Sequence, residues 1–250
     1  MKVIVNADDL GFSREVNDAI FGLMARGRVT SATIMANGGD VEDAVRRAGE
    51  LPRCSFGVHL NAFGLKPLTQ NAGLSPILDQ AGNFAGNIIR QTAITAALRE
   101  AIFEEWCAQV EKLQSLGVRV SHFDSHHHTH TLPALFPVLK RLQRRFGIRK
   151  VRISMNIYSR QTPAGSRWLP AGKALWNFAL RHCPATTTTE GFSSLQVFCE
   201  AMRESPRQFS SVEVMVHPGA AHFEAETRLL DSAWWEELSL APQFVSYHEL

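Results

Sequence analysis

Four cysteines, Cys54, Cys107, Cys183 and Cys199, are all that this 250-residue chain carries, and no two form a CxxC pair. Neither a zinc knuckle nor a disulfide framework is therefore suggested, and the cysteines read as reduced packing residues. No apolar run reaches the roughly 18 residues that a membrane helix needs, so no transmembrane segment is expected. Charge of either sign is not in excess: 26 basic residues face 24 acidic ones, for a net charge of +2. Arg46-Arg47 and Arg144-Arg145 fall in helix-like segments and read as solvated faces, so no nucleic-acid partner is implied. The chain opens directly on strand-like Lys2-Val3-Ile4-Val5 with no basic segment and apolar h-region before it, from which a cytoplasmic location is expected. A nucleophile elbow is also missing, since Gly191-Phe192-Ser193-Ser194 lacks that pattern.

What is present is a chain rich enough in apolar residues, 45% against 20% charged, to fill a large core. Three segments share one grammar: apolar residues at helical spacing, a glycine, then a β-rich run. Val16, Ile20, Leu23 and Met24 precede Gly27. Leu98, Ile102, Trp106, Val110 and Leu113 precede Gly117. Leu135, Val138, Leu139, Leu142 and Phe146 precede Gly147. A glycine just past a helix takes the left-handed conformation cheaply, and short helix-to-strand connections are usual in α/β units. Strands alternating with helices give a parallel sheet, because parallel neighbours need a crossover long enough to hold a helix. Strands are predicted near residues 2–7, 30–36, 54–60, 118–124, 150–154, 186–190, 211–217 and 243–247. That count predicts a distorted (β/α) barrel of seven or eight mostly parallel strands, with residues 1–250 forming one domain. Residues 65–87 and 159–172, rich in Gly and Pro, read as long loops beside the site.

Asp124-Ser125-His126-His127-His128-Thr129-His130 puts one carboxylate and four imidazoles, common ligands of divalent metals, within seven residues. An expression tag would sit at a terminus and lack the internal Asp, Ser and Thr. This tract is internal and follows a strand-like run. Other ligand-type residues end other predicted strands: Asp8-Asp9 the first, His59 the third and His217 the seventh. In a parallel barrel these ends share one mouth. Ser13 already serves as N-cap of the first helix, which leaves Asp8 and Asp9 surplus to capping. A lone His59 is equally compatible with a half-buried structural histidine. Pro218-Gly219 forces His217 toward extended backbone and allows a sharp turn after it. Spacing leaves the ligands within the tract open: a continuing strand aligns Asp124, His126, His128 and His130, whereas a helical turn aligns only His126 with His130.

Asn6-Ala7-Asp8-Asp9-Leu10-Gly11-Phe12-Ser13, Gly57-Val58-His59-Leu60, the His tract and Met215-Val216-His217-Pro218-Gly219 together resemble the YdjC/ChbG family of metal-dependent carbohydrate deacetylases. The motifs occur in the expected order over nearly the whole chain, and Lys66-Pro67-Leu68-Thr69 resembles the loop after the first metal histidine. The resemblance implies a distorted (β/α) barrel holding one divalent ion, often Mg2+, with Zn2+ the alternative, and removal of N-acetyl groups from sugars. Carried over by motif, Asp9, His59 and His126 are the metal ligands, Asp8 the general base and His217 the acid. Arg152 is expected to orient Asp8 through a charge-assisted hydrogen bond. The sequence departs from the family at Leu10, where Phe is usual, and at Asn61-Ala62-Phe63, where a Leu-Thr pair commonly stands. Neither change removes a ligand, and Phe63 is placed to reshape the substrate pocket.

The expected substrate is an acetamido sugar, a short oligosaccharide or glycoconjugate, with Phe63 or Trp168 stacking on a pyranose face. Residues 155–210 carry no recognised motif and are expected to set specificity. The sequence is compatible with a homodimer. Two rivals remain: an amidohydrolase or phosphoesterase, although those commonly carry HxH at the first strand rather than Asp-Asp, and a non-catalytic metal-dependent sugar-binding protein.

Overall fold

The computed structural model describes residues 1–163, 169–183, 186–238 and 240–250. Its first half runs β1 (Lys2–Leu10), α1 (Arg14–Ala25), β2 (Ser31–Ile34), α2 (Val41–Ala48), β3 (Ser55–Leu60), α3 (Ile88–Gln91), α4 (Ala96–Ser115) and β4 (His122–Ser125). The second half follows with α5 (Phe136–Phe146), β5 (Lys150–Val151), α6 (Leu169–His182), β6 (Gly191–Ser194), α7 (Leu195–Glu204), β7 (Ser211–Val216), α8 (Glu224–Asp231), α9 (Trp234–Glu237) and β8 (Gln243–Phe244). All strand pairs in the sheet are parallel, in the order β5-β4-β3-β2-β1-β7-β6, with β8 paired to β1. Among the described residues, one parallel bridge, Lys150 to Thr187, joins β5 to the chain leading into β6. The sheet is therefore a curled, incompletely closed barrel. Beside the gap, the free edge of β6 is served by irregular chain: Asn156 Oδ1 accepts from Phe192 N–H at 2.9 Å, and Asn156 N–H donates to Phe192 O at 3.2 Å.

Alternation along β1 sorts the two faces of the sheet. Val3, Val5 and Ala7 join the large apolar cluster with helix residues such as Ile20, Leu139 and Phe198, whereas Ile4 packs inside with Val245 and Tyr247. Above Ile4 on the same face stand Asn6 and Asp8, both buried. The registers Ile4 with Glu213 and His59 with Asp124 extend this polar interior across β7, β3 and β4.

The helix ends match the sequence pattern. Ser13 Oγ accepts from Val16 N–H at the start of α1, and Gly27, Gly117 and Gly147 all take positive φ, at 69°, 96° and 68°. Strand boundaries differ more. The sixth strand lies at Gly191–Ser194 rather than residues 186–190, where Thr187 makes only the bridge. The β-branched threonines carry the intrinsic preference, but packing decides: a Cβ at position 191 would lie 2.8 Å from Ile157 Cδ1 and 3.2 Å from Val212 Cγ2, so the ladder runs where glycine leaves room for these side chains. The fifth strand is only two residues long, and the fourth starts at His122 instead of 118.

Residues 65–87 contain a 3-10 helix, Ala72–Ile77, and an antiparallel bridge between Leu78 and Phe84, with Leu74, Ile77 and Phe84 buried. The buried Glu105 carboxylate on α4 pins this segment, accepting from Leu68 N–H at 2.9 Å and Thr69 N–H at 2.8 Å. The expected loop at residues 159–172 is shorter than predicted, because α6 begins at Leu169. Pro170 occupies the first turn, where its missing N–H costs no intrahelical bond. Trp168 lies outside the described residues. Among the described residues, no helix is long and apolar enough to cross a membrane.

Candidate metal centre and catalytic recess

Adjacent residues on a regular strand point to opposite faces, yet Asp8 and Asp9 both reach the mouth. The register between β1 and β2 slips between Ala7 and Leu10, and Asp9 takes φ 65°. Such a bulge re-aims one side chain at a modest cost in backbone strain. The His tract bends the same way. It is neither continuing strand nor regular helix but a 3-10 turn, His126–Thr131, in which His127 and His128 adopt φ 51° and 55°. Three of the four non-glycine positive-φ residues described are thus Asp9, His127 and His128.

These bends bring Asp9, His59 and His126 together. Asp9 Oδ1 lies 3.2 Å from His59 Nε2 and 2.8 Å from His126 Nδ1. All three offer ligand atoms within 4.8 Å of one another. Asp9 Oδ1 is shut off from solvent and is not hydrogen-bonded. A buried carboxylate oxygen without a partner, facing two imidazole nitrogens, fits a divalent cation. Burial opposes ionisation of Asp9, but His126 and His59 outweigh it and hold the carboxyl well below its usual range. Burial also works against a charged His59, while Asp124, Asp8 and Asp9 together raise its pKa well above the ordinary value. The same acidic surroundings favour a metal cation competing for that nitrogen.

Asp124 sets the orientation of His59. Its Oδ1 accepts from Nδ1–H at 2.8 Å, which turns Nε2 toward Asp9, and its Oδ2 accepts from Thr33 Oγ1 at 2.9 Å. This is the carboxylate-to-histidine pairing that commonly fixes a metal-ligating tautomer. Asp8, His59 and Asp124 form a second converging trio, but a guanidinium already serves its two acids. Arg152 donates from Nη1 to Asp8 Oδ2 at 2.7 Å and from Nη2 to Asp8 Oδ1 at 2.6 Å. It also reaches Asp124 Oδ2 at 2.8 Å and Glu213 Oε1 at 2.7 Å. Asn6 Nδ2 adds a 3.0 Å bond to Asp8 Oδ1. The arginine is fully buried, and where sequence suggested one charge-assisted hydrogen bond to Asp8 the contact is bidentate.

His217 follows β7 at the other side of a recess of about 430 Å³ that Asp8, Asp9, Phe12, His126, Pro218 and Gly219 also line. Gly219 has φ 83°, and a Cβ there would lie 2.8 Å from Glu15 O, so the turn packs directly on α1. Glu226 Oε1 accepts the His217 backbone N–H at 2.5 Å and sits 3.7 Å from Nδ1, while Phe223 stacks on the ring with centroids 4.5 Å apart. Burial pulls the His217 pKa down, but Glu226, Asp8 and Asp9 raise it overall, a direction suited to carrying a proton.

The remaining tract histidines separate. His130 is buried, bonded to Ser125 Oγ and, at 3.1 Å, to Arg152 O, and desolvation takes its pKa down to about 4. His127 stacks on Phe63 with ring centroids 3.7 Å apart, and Phe63 meets His126 edge-on at 5.9 Å. Phe63 thus stands beside the candidate ligands. Thr33, Asn6, Glu213 and Tyr247 were not expected from sequence. A lone acid inside Val212-Glu213-Val214-Met215-Val216 was a signal for Glu213; Tyr247 carried none.

The YdjC-like protein family model matches residues 2–241. A carbohydrate deacetylase of Brevibacillus brevis is 32% identical over 226 residues, covering 87% of this chain and 81% of that protein. A carbohydrate deacetylase of Geobacillus stearothermophilus is 40% identical over 143 residues, which span 57% of this chain and 56% of the relative. Among solved structures, a putative cellobiose-phosphate cleavage protein of Enterococcus faecalis superposes with a TM-score of 0.77 at 22% identity, covering 99% of this chain and 98% of that one, a likeness of fold. With the family model spanning nearly the whole chain, this protein belongs to the YdjC-like family.

Proposed function

We propose that this protein is a metal-dependent hydrolase that removes N-acetyl groups from an acetamido sugar, an oligosaccharide or glycoconjugate. The observation that carries the reading is the convergence of Asp9 Oδ1, His59 Nε2 and His126 Nδ1 beside a recess that Asp8 and His217 also line. The naming of relatives as carbohydrate deacetylases supports it.

Asp9, His59 and His126 are the residues that would hold the ion, Mg2+ by family resemblance or Zn2+ by its affinity for imidazole. When bound, a divalent ion supplies Lewis acidity, polarising an amide carbonyl and lowering the pKa of water. The chain's own residues do the rest. Asp8, clamped by Arg152 and Asn6, takes the proton from the attacking water as its oxygen bonds to the acetyl carbon. His217 gives a proton to the nitrogen as the C–N bond breaks, and acetate and a free amino sugar leave. Phe12, Phe63 and Phe223 offer apolar faces beside the mouth for a pyranose.

The test is a panel of N-acetylglucosamine monomer, short oligomers, sugar-lipid conjugates and polymeric chitin, with Mg2+ or Zn2+ supplied and released acetate quantified. Metal-dependent release from a soluble acetamido sugar is expected. Activity confined to non-carbohydrate amides, or highest on insoluble chitin, would overturn the reading, and sugar binding without release would make the protein a lectin-like binder.

A further inference from the structure

At the foot of the barrel, opposite the mouth, the chain ends in a 3-10 turn, Tyr247–Glu249, whose tyrosine is turned inward and fully buried. Its hydroxyl donates to Glu213 Oε2 at 2.5 Å. The other oxygen of that carboxylate, Oε1, accepts from Arg152 Nε at 2.7 Å, and the same guanidinium grips both oxygens of Asp8. Four side chains, each at most 3% exposed, therefore form an unbroken line from the C-terminal turn to the carboxylate at the mouth.

Resting on the deacetylase reading, in which Asp8 is the base, we propose that Tyr247 is a positioning residue for that base, acting through Glu213 and Arg152. The tyrosine is itself held from several sides. Its ring stacks on His122 with centroids 3.6 Å apart and an interplanar angle of 12°, and its backbone N–H donates to Ser55 Oγ at 2.9 Å. Ser246 and Glu249 close a capping box around it, and Lys2 Nζ reaches Glu249 O at 2.8 Å.

The line transmits because the buried groups around the Arg152 guanidinium set its place: besides Asp8 and Glu213, Asp124 Oδ2 lies at 2.8 Å and the Phe192 ring centroid at 4.8 Å. The two-residue β5 ends one position before it, and its side-chain position follows from where its acceptors stand. Glu213 must be charged to hold Nε strongly, and burial works against that, pushing its pKa up to about 7 while Arg152 and Tyr247 pull the other way. Without the phenol, Glu213 retains one fewer donor for its charge and grips the guanidinium less firmly. Asp8 is then aimed less accurately, and small displacements of a catalytic group are costly in rate. A tyrosine that only filled space would be replaceable by phenylalanine.

Tyr247→Phe keeps the ring and its stacking, so the full-length, metal-loaded protein separates the two roles. On a soluble N-acetylglucosamine oligomer, kcat should fall about tenfold to a hundredfold, with KM and metal content near wild type. In an Asp8→Asn background the same change should cost nothing further, because the base it aims is gone. Equal losses in both backgrounds, or an unchanged kcat, would overturn the proposal. A second readout needs no substrate: in protein labelled with 15N-arginine, the Arg152 Nη–H signals should be resolved and slow to exchange in wild type, and broadened by Tyr247→Phe or Glu213→Gln. Wild-type protein that releases no acetate defeats the deacetylase reading alone, whereas Arg152 signals indifferent to both substitutions defeat the positioning line whatever the activity.

Discussion

The two faces of one sheet differ in kind. Outward, Val3, Val5, Val212 and Val214 meet the helices in a continuous apolar layer. Inward, Asn6, Asp8, Thr33, His59, Asp124, Arg152 and Glu213 are equally buried and almost wholly polar. The outer layer stabilises by removing area from water, roughly 25 cal/mol per Å², and tolerates exchange of similar volumes. The inner one gains little net stability, because desolvation offsets its ion pairs, but in the proposed function it aims the candidate ligands and base within tenths of an ångström. Damage to the outer layer should thus appear in unfolding curves, and damage to the inner one in rate and metal content.

The largest expected break in this comparison comes from Asp8→Asn, which should lower kcat by about two to four orders of magnitude while one equivalent of metal is retained. Steady-state kinetics beside elemental analysis checks it; near-normal turnover would remove Asp8 from the base role. Next is Arg152→Met, which strands three buried acids and should cost about 3–5 kcal/mol in urea unfolding. Its partner experiment is Leu139→Ala on the outer side, expected to cost about 2–5 kcal/mol with kcat per folded molecule unchanged. A fall in kcat there would blur the distinction between the faces.

Metal loading sharpens the contrast. His59→Ala and His126→Ala should each abolish tight uptake of the divalent ion while the far-ultraviolet circular dichroism stays that of the folded protein. Full occupancy in either variant would exclude that residue as a ligand. The effect that shows only on acidification is a lability from His122, stacked on Tyr247 and kept neutral by burial, which takes its pKa down to about 3. In the unfolded chain the ring titrates near 6.5, so its contribution is complete above that pH and declines as pH falls from 6.5 toward 3, by about 1.4 kcal/mol per unit. His122→Gln should flatten the stability curve over that window by one proton; an unaltered slope would refute the assignment.

The contrast between the faces also explains what the sequence disclosed. Strands such as Ser211–Val216 were legible because valines alternate there with other residues, and strand-end Asp8, Asp9, His59 and His217 were legible because ligand chemistry is rare in such places. Reading Asp9 and His126 into one site needed the family resemblance, since the positive φ of Asp9, His127 and His128 is a conformation that no local preference of these residue types announces. Tyr247 reaches Glu213 over 34 positions and Ser55 over 192, and no pattern in a linear chain marks such a meeting. The displaced sixth strand has the same origin, a close approach of Gly191 to Ile157 and Val212 that overrides the β-branched threonines before it.

The seam between β5 and β6 bears on how the molecule breathes. Among the described residues, β5 itself is tied across it by Val151 N–H to Thr187 O and Thr187 N–H to Arg149 O, at 3.1 and 3.0 Å, with Asn156 and Ile157 N–H reaching Phe192 O further on, whereas β1 is flanked on both sides along much of its length. Transient opening starts where fewest bonds must break, so amide protons at Val151 and Thr187 should exchange with solvent far sooner than those of Val5 or Val214. Arg152 hangs immediately beside that hinge line. Each local opening would swing the guanidinium that grips the carboxylate at the mouth, and warming would then dull turnover before the fold as a whole gives way.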